Sequence, residues 1–511
     1  MGTMLSLDNG FAESVRLGKS RRGNRNKRRL RSLVVTSMAV ASCIAVPTAV
    51  LASSGTAGAS PAPTPWALAS SPNAPDTAPP VGSDLRAVSC ASSTRCMAVG
   101  YYSPAADGAD WQTLTESWNG TTWSIIPSPD PGTENGLDGV SCTGPDSCMA
   151  VGTTDIGSFE QTLTESWNGS TWTVLPGADV PGANDEIAGV SCGTPTSCVL
   201  VGTSYVSGIS GPVGSTLAER WNGTSWSVVP SGNQPGYGND LSGVSCTSAM
   251  YCVAVGAYSL NSQSGTLVET WNGSGFGISD SPSPSQSFIG LDGVSCTSAT
   301  DCTAVGSYFN GTLEATLVEQ WDGVSWAVVS SPNVGDIESG FSAVSCASPS
   351  ACTAVGVYRS TTSTNQNLIE TWNGTSWSVA QAQQESTRDS ELLFGVACMT
   401  LNTSCTAVGS YTDHHSDLTL VESSLDITTT DLPEGTVGQP YTATLTEVGG
   451  TAPYIWKVTA GHLPRGLKLA KSTGVISGSP KQSGSFGVSV EVESGMHGRG
   501  TAEALVNITV S

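Results

Sequence analysis

The sequence contains little charge, and charged residues make up 12% of its 511 residues, with only four histidines. Lysine is absent from residues 60–424, which hold five dispersed arginines: Arg86, Arg95, Arg220, Arg359 and Arg388. A sialidase-like site needs several arginines gathered on a substrate carboxylate, so this scarcity argues against such an enzyme. Helix-forming residues are also scarce, whereas glycine, serine and threonine are abundant, which favours short strands joined by turns.

Sequence motifs of catalysis are equally scarce. The chain has no HExxH, phosphate-binding loop or paired-carboxylate motif. His414 and His415 are the only histidines before residue 425, and a solvated loop explains them. We therefore predict a protein that is not an enzyme, and a secreted carbohydrate-active, sialidase-like enzyme stays the alternative because such sites assemble from distant loops.

Positive charge is concentrated at the N-terminus. Residues 1–59 carry nine basic and two acidic groups, so the other 452 residues carry 11 basic and 40 acidic groups, a net charge of −29. Such a surface repels nucleic acid and anionic lipid, which excludes nucleic acid as a partner.

The basic segment 19–32 precedes an apolar run at residues 33–52 and a stretch of small residues. This order predicts a signal or targeting segment at residues 1–59, with cleavage after Ala52 or Ala59, and a secreted, extracellular protein. Two alternatives remain open, an uncleaved membrane anchor through residues 33–52 and a lipidated Cys43.

Internal repetition dominates the rest of the chain. The phrase "GVSCTSATDCTAVGSY" at residues 293–308 is one of seven similar copies, with a period of 50 to 54 residues. Each copy reads as four strands, and Asn-Gly or Asp-Gly predicts a tight type I′ turn between the last two. Seven four-stranded repeats of this length predict a seven-bladed β-propeller over residues 60–424, of no family that we can name.

The seventh copy stops at residue 424, before its fourth strand. The missing piece is at the other end, where "TPWALASSPN" (64–73) matches "TSWSVVPSGN" (225–234) and Trp66 takes the position of Trp226. We therefore predict that an N-terminal strand completes the last blade and closes the ring.

Two cysteines lie close together in every copy. Zinc would require converging pairs or histidine, and a redox motif would be C-x-x-C beside a helix, so neither explains them. We predict one structural disulfide across the first hairpin of each blade, which fits an oxidising compartment. The pairs are Cys90 with Cys96, Cys142 with Cys148, Cys192 with Cys198, Cys246 with Cys252, Cys296 with Cys302, Cys346 with Cys352 and Cys398 with Cys405.

A glutamate recurs in the third strand of every copy, beside large apolar residues: Glu116, Glu165, Glu219, Glu269, Glu319, Glu370 and Glu422. We favour a latch between blades, made with backbone N–H groups or a serine of the neighbouring blade, over a ring that binds cations. The tryptophans that flank the hairpin turns are predicted to belong to the core, with stacking on sugar rings as the alternative. No metal ligand set and no cofactor site is predicted.

After Leu425 the composition changes, because lysine appears and cysteine disappears. Residues 425–511 resemble the immunoglobulin-like, cadherin-like repeat of bacterial secreted and surface proteins. The matching elements are Gly438 with Tyr441, the turn at 449–454, and the stretches 463–467 and 473–480. The resemblance implies a small β-sandwich that serves as an adhesive or spacer module. It also raises calcium binding at the domain junction, although Asp426, Asp431 and Glu434 are too sparse to predict a site.

Together these features predict an all-β, extracellular, monomeric protein that binds or displays rather than catalyses. The variable connections between the second and third strands are where we expect a carbohydrate or protein ligand.

Overall fold

The computed structural model describes residues 66–73, 82–104, 110–157, 159–206, 214–260, 263–285, 287–361, 364–380, 382, 390–399, 404–413, 416–429, 431–450, 452–495 and 500–511. Every regular element in these residues is a β-strand, so this part of the chain has no helix that could cross a membrane. The predicted signal segment, Cys43 and the pair His414 and His415 lie outside the described residues.

Twenty-eight strands precede residue 425. They are β1 (Trp66–Ala69), β2 (Gly82–Ser92), β3 (Arg95–Ser103), β4 (Gln112–Trp118), β5 (Trp123–Ile125), β6 (Asn135–Gly144), β7 (Ser147–Ile156), β8 (Phe159–Trp167), β9 (Trp172–Leu175), β10 (Ala183–Thr194), β11 (Ser197–Val206), β12 (Gly214–Trp221), β13 (Trp226–Val228) and β14 (Gly238–Ser248). The series continues with β15 (Tyr251–Leu260), β16 (Gln263–Trp271), β17 (Phe276–Ser279), β18 (Ile289–Ser298), β19 (Asp301–Phe309), β20 (Glu314–Trp321), β21 (Trp326–Val328), β22 (Glu338–Ser348), β23 (Ala351–Arg359), β24 (Gln366–Trp372), β25 (Trp377–Val379), β26 (Ser390–Cys398), β27 (Cys405–Asp413) and β28 (Ser416–Ser424).

These strands pair antiparallel in groups of four, which we call units 1 to 7 in chain order. Unit 1 is β2 to β5, unit 6 is β22 to β25, and each of the units between them is the next four consecutive strands. Unit 7 consists of β26, β27 and β28, and its fourth strand is β1, which pairs antiparallel with β28 from Trp66 opposite Ser424. The predicted exchange of the N-terminal strand is therefore present, and repeated four-stranded sheets of this kind form a β-propeller.

The first strands of neighbouring units approach each other at backbone distance, which makes them the inner strands. A methyl group on Gly139 of unit 2 would lie 2.9 Å from the Cα atom of Gly189 in unit 3. A methyl group on Gly395 of unit 7 would lie 2.9 Å from the Cα atom of Ala87 in unit 1. Only glycine leaves room for such an approach, so both positions fix how closely the units pack.

A serine directly before the first cysteine of a unit joins it to the next unit. The hydroxyl oxygen accepts a hydrogen bond of 2.9–3.0 Å from the backbone N–H of the next unit's first cysteine, as Ser295 does from Cys346. This hydrogen bond is present at six of the boundaries between neighbouring units, which we call seams. At the seam from unit 7 to unit 1, Ala397 takes the place of the serine.

This difference gives a test of how the seams contribute to stability. Ser295→Ala removes one inter-unit hydrogen bond and is expected to lower the free energy of unfolding by about 1 kcal/mol. Ala397→Ser supplies the seventh bond and is expected to raise it by a similar amount. Denaturant unfolding of both variants measures the change, with Ser227→Ala on an exposed edge strand as the control. An Ala397→Ser protein that is no more stable than the parent would contradict the role of this bond.

The hairpin turns between third and fourth strands differ from the predicted type I′ geometry. Trp118 pairs with Trp123, which leaves a four-residue connection, and of its residues only Gly120 has a positive φ, of 97°. The Oδ1 atom of Asn119 accepts hydrogen bonds from the backbone N–H groups of Thr121 and Thr122. The prediction of a type I′ turn is wrong because the asparagine lacks the positive φ that this turn requires, and its side chain caps the turn instead.

The C-terminal strands form a β-sandwich. They are β29 (Asp426–Ile427), β30 (Tyr441–Thr444), β31 (Glu447–Val448), β32 (Tyr454–Gly461), β33 (Leu467–Leu469), β34 (Val475–Gly478), β35 (Gly484–Ser494) and β36 (Thr501–Val510). One sheet has the order β30-β34-β33 and the other β32-β35-β36. Trp456, Ile476, Val490 and Val506 are fully or almost fully buried between the two sheets.

The core of the sandwich also contains a residue of the N-terminal strand. Ala67 is completely buried there together with Leu425, and the backbone N–H of Gly450 donates to the hydroxyl of Ser423 over 2.9 Å. At the positions equivalent to Ala67, Ser227 and Ser378 are exposed. The sandwich therefore packs on the outer edge of unit 7 and is not built from residues 425–511 alone.

Candidate functional site

Every inner strand contains a β-bulge at the same place. In unit 1 the pairing shifts between Leu85 and Ala87, and the same shift occurs in the other six units. A bulge leaves one residue outside the ladder and redirects its side chain. The seven bulge residues, which we call the bulge ring, are all partly exposed along the inner strands: Arg86, Asp138, Ala188, Ser242, Asp292, Ser342 and Phe394.

The bulge ring varies although its surroundings do not. A large apolar residue precedes each bulge and glycine or alanine follows it, whereas the bulge residue is basic, acidic, hydroxylic, small or aromatic. Sequence reasoning missed this ring. The signal that could have found it is the single variable position between a large apolar residue and the repeated phrase that ends in the first cysteine.

Arg86 is the only basic member of the ring. Its guanidinium lies 4.4 Å from the ring centre of Phe394 in unit 7 and 5.3 Å from that of Tyr101 in unit 1. Its Nε atom is 3.9 Å from Oδ1 of Asp138 in unit 2. The cation thus interacts with three consecutive units, and cation–π stacking together with the nearby carboxylate holds it in place.

The repeated glutamates lie at the seams, completely buried. In four seams a serine that follows the fourth strand of one unit donates to the glutamate of the next, as Ser281 does to Oε2 of Glu319 over 2.6 Å. Glu219 instead accepts from the backbone N–H of Ala178 and the hydroxyl of Thr162, and Glu422 accepts from the amide of Asn367. These contacts have the form of the latch favoured from the sequence.

The same contact spans the seam at which the chain closes. Ser71, which follows β1, donates to both carboxyl oxygens of Glu116, over 2.8 and 3.0 Å. Two residues later, Oδ1 of Asn73 accepts from the backbone N–H of Thr419 in unit 7. The segment after β1 therefore joins units 7 and 1. The segments after β13 and β21 join units 3 and 4 and units 5 and 6 through equivalent contacts.

Burial changes the acidity of these glutamates. It raises the pKa of Glu116 to about 8, and the hydrogen bond from Ser71 only partly offsets the effect. For the same reason the pKa is raised to about 7 in Glu165, Glu219, Glu269, Glu319 and Glu370. A desolvated carboxyl group favours its neutral form, so these side chains titrate near neutral pH.

The predicted disulfides are confirmed, and all seven join the two cysteines of one unit. In unit 1 the disulfide continues into a cross-strand row, in which Cys96 pairs with Trp118 and Trp118 with Trp123. The indole N–H of Trp118 donates to the carbonyl of Ser93 in the cysteine hairpin, over 3.1 Å. Trp123 is buried in the core and Trp118 packs against it while partly exposed, so the row stiffens one end of the blade.

This end defines a disulfide face, which carries the cysteine hairpins and the asparagine turns. The opposite loop face carries the linkers between units and the connections from second to third strands. On it, a cleft of about 470 Å³ lies beside unit 5, lined by Pro284, Ser285, Ser287, Tyr308, Phe309, Asn310 and Gly311. Phe288, next to this cleft, is half exposed and has a φ of 49°, a backbone conformation that costs energy in a residue other than glycine.

Within the described residues, no three His, Cys, Asp or Glu side chains are grouped so that they could hold a metal ion. At the junction with the sandwich, Asp426 accepts a hydrogen bond from the backbone N–H of Ile427, and Asp431 forms an isolated bridge with Asn507.

Comparison with known proteins identifies the C-terminal domain. Residues 422–511 match the family model described as "Putative Ig domain", which confirms the predicted immunoglobulin-like class of this domain. A comparison of the sequence with curated proteins finds no match.

Solved structures with propellers resemble the chain at low identity. A structure of YCF48 bound to D1 peptide is 12% identical, with 70% of this chain and 96% of that chain covered and a TM-score of 0.40. The GH74 xyloglucanase from Xanthomonas campestris is 13% identical, with 70% and 53% covered and a TM-score of 0.45. Sqt1 from Chaetomium thermophilum, bound to the N-terminus of the ribosomal protein L10, is 10% identical, with 78% and 96% covered and a TM-score of 0.39. Likenesses this distant carry no argument about function.

Proposed function

We propose that the protein is an extracellular, non-catalytic binding and surface-display protein. Its seven units close into a seven-bladed ring, and the immunoglobulin-like domain supports display or attachment. The ligand is a protein or a carbohydrate, the protein works as a monomer, and the function requires no cofactor.

The observation that carries this proposal is where the units differ from one another. The buried contacts, which are the disulfides and the glutamate latches, repeat around the chain. The bulge ring and the loop-face connections do not repeat. A regular scaffold that carries variable loops and a variable row of partly exposed residues is typical of a binding protein.

Seven disulfides support a location in an oxidising compartment. The basic and apolar N-terminal segment supports export, with a cleaved signal as the main hypothesis. Retention through residues 33–52 or through a lipid on Cys43 is the alternative, and both place the propeller outside the cytoplasm.

A secreted carbohydrate-active enzyme is the second candidate, because Asp138 and Asp292 share the bulge ring with Arg86. One arginine that is stacked between two rings and faces Asp138 does not make a clamp for an anionic sugar. This arrangement favours binding over hydrolysis.

The test is a binding array of glycans, cell-wall polymers and peptides, run beside a hydrolase screen on the same purified protein. We expect saturable binding to at least one array class and no turnover. Turnover of a glycan that is abolished in Asp138→Asn would replace the binding proposal with the enzyme.

A further inference from the structure

The loop face exposes apolar side chains at the tips of several consecutive units. Ile156 and Phe159 face each other at the end of the hairpin in unit 2, and Val206 and Leu260 occupy the corresponding ends in units 3 and 4. Phe288 follows beside unit 5, and all five side chains are between 38% and 61% exposed. We call these residues the apolar arc.

The disulfide face differs. Its turns expose two large apolar side chains in the described residues, Met250 in unit 4 and Val324 in unit 5. Exposed apolar side chains that continue over neighbouring elements mark interaction surfaces, whereas isolated ones are ordinary.

Charged residues are also distributed unevenly between the loop face and the disulfide face. In the described residues, the strand ends and linkers of the loop face carry one arginine, Arg359, and seventeen acidic residues, of which Asp185, Glu338 and Glu391 are buried: Asp84, Asp110, Asp130, Glu134, Asp155, Glu160, Asp179, Asp185, Glu186, Asp240, Asp280, Glu314, Asp336, Glu338, Glu391, Asp413 and Asp417. The turns and strand ends of the disulfide face carry three acidic residues, Asp146, Asp301 and Asp322, and two arginines, Arg95 and Arg220.

The acidic groups of the loop face also repel one another. Burial is the main cause of the raised pKa of Glu314, about 7, and the charge of Glu338 adds to it. Burial likewise raises the pKa of Asp417, with a contribution from Asp84. A cation that approaches this face would relieve that repulsion, so the field of the face selects the sign of its partner.

We propose that the loop face docks a cationic polypeptide, whose apolar side chains contact the apolar arc and whose lysine or arginine side chains meet the surrounding carboxylates. The cleft at Tyr308 and Phe309 continues the arc and provides a recess for one anchoring side chain. Neutral glycans have no charge to match this face, and anionic glycans or lipids are repelled by it. This inference rests on the proposed binding function and names its partner class.

The test uses labelled peptides of fourteen residues, with alternating Lys and Leu, Lys and Ser, or Glu and Leu, titrated into the full chain by fluorescence anisotropy. We expect the Lys-Leu peptide to bind at least about tenfold more tightly than the other two, because it alone supplies both charge and apolar contact. Raising the salt concentration should weaken its binding.

Matched variants locate the binding surface. Phe159→Ser, Val206→Ser and Phe288→Ser alter exposed tips and are expected to weaken Lys-Leu binding at least about fivefold. Glu134→Gln combined with Asp155→Asn should reduce the salt dependence. The controls on the disulfide face, Met250→Ser, Val324→Ser and Asp146→Asn, should bind as the parent does, and unchanged melting temperatures show that the variants fold.

Binding of Lys-Leu that is insensitive to the tip variants, or that is lost in the controls, overturns the assignment of the surface. Equal binding of the Lys-Ser peptide overturns the role of the apolar arc. Saturable binding of a neutral glycan that the tip variants abolish, with no peptide bound, overturns the cationic partner but leaves the binding function standing. Glycan turnover with no binding of any peptide defeats the proposed function itself.

Discussion

A chain that lacks residues 60–73 is expected to lose the closure of unit 7 and to aggregate. The deleted segment contains β1, whose Trp66 and Leu68 are buried in unit 7. Without it, β28 presents an unpaired edge, and exposed strand edges invite pairing between molecules. The Asn73 contact to unit 7 and the Ser71 contact to unit 1 disappear as well.

The truncation should also weaken the immunoglobulin-like domain, since Ala67 belongs to its core. Size-exclusion chromatography is expected to show oligomers or aggregate, and the melting temperature should fall by at least about 5 °C, which corresponds to roughly 5 kcal/mol for a cooperative unit of this size. A truncated protein that stays monomeric and melts as the parent does would rule out closure by the N-terminal strand.

A point variant tests the contact between Ala67 and the sandwich core without the other effects of a truncation. Ala67→Glu places a carboxylate in the sandwich core and is expected to destabilise the protein by roughly 3 kcal/mol or more. Ser378→Glu introduces the same side chain at the equivalent, exposed position of unit 6 and should change the stability by less than about 0.5 kcal/mol. Equal melting temperatures for the two variants would show that the sandwich does not pack on β1.

The repeat explains how much of this fold could be predicted from the sequence. The disulfide pairs follow from a spacing written seven times, and the strand exchange follows from a missing fourth strand and its surplus copy around Trp66. The burial of the glutamates follows from strand alternation beside leucine and tryptophan. Each of these inferences needs only the local spacing of residues and the repetition of that spacing along the chain.

Features that depend on how units or domains meet could not be predicted in this way. Ala67 looks like any other residue of an edge strand, and its burial depends on where the sandwich docks. Arg86 becomes a bridge between units only because a bulge directs it toward Phe394 and Asp138, which are distant in the chain. The turn at Asn119 differs from the expected type I′ turn because the asparagine side chain accepts hydrogen bonds from the backbone N–H groups of the turn.

Acidification is expected to stabilise the protein, which is the reverse of ordinary acid denaturation. The pKa values of six buried glutamates are raised by burial to about 7 or about 8, above the ordinary value of 4.5 in the unfolded chain. Between pH 4.5 and pH 7 the folded state therefore binds more protons than the unfolded state, so stability falls as the pH rises through this window. Above about pH 8 the loss is complete.

Melting temperatures and denaturant midpoints measured from pH 5 to pH 8.5 test this expectation. We expect the melting temperature to be at least about 5 °C higher at pH 5 than at pH 8, since each pKa unit of each glutamate corresponds to about 1.4 kcal/mol. Glu319→Gln keeps the shape and the acceptor for Ser281 but cannot ionise, so it should be more stable than the parent at pH 8 and should reduce the pH dependence. Asp146→Asn, on the exposed turn of the disulfide face, should leave the slope unchanged. A stability that rises with pH across this window, or a slope that Glu319→Gln does not alter, would mean that the seam carboxyl groups remain ionised in the folded protein.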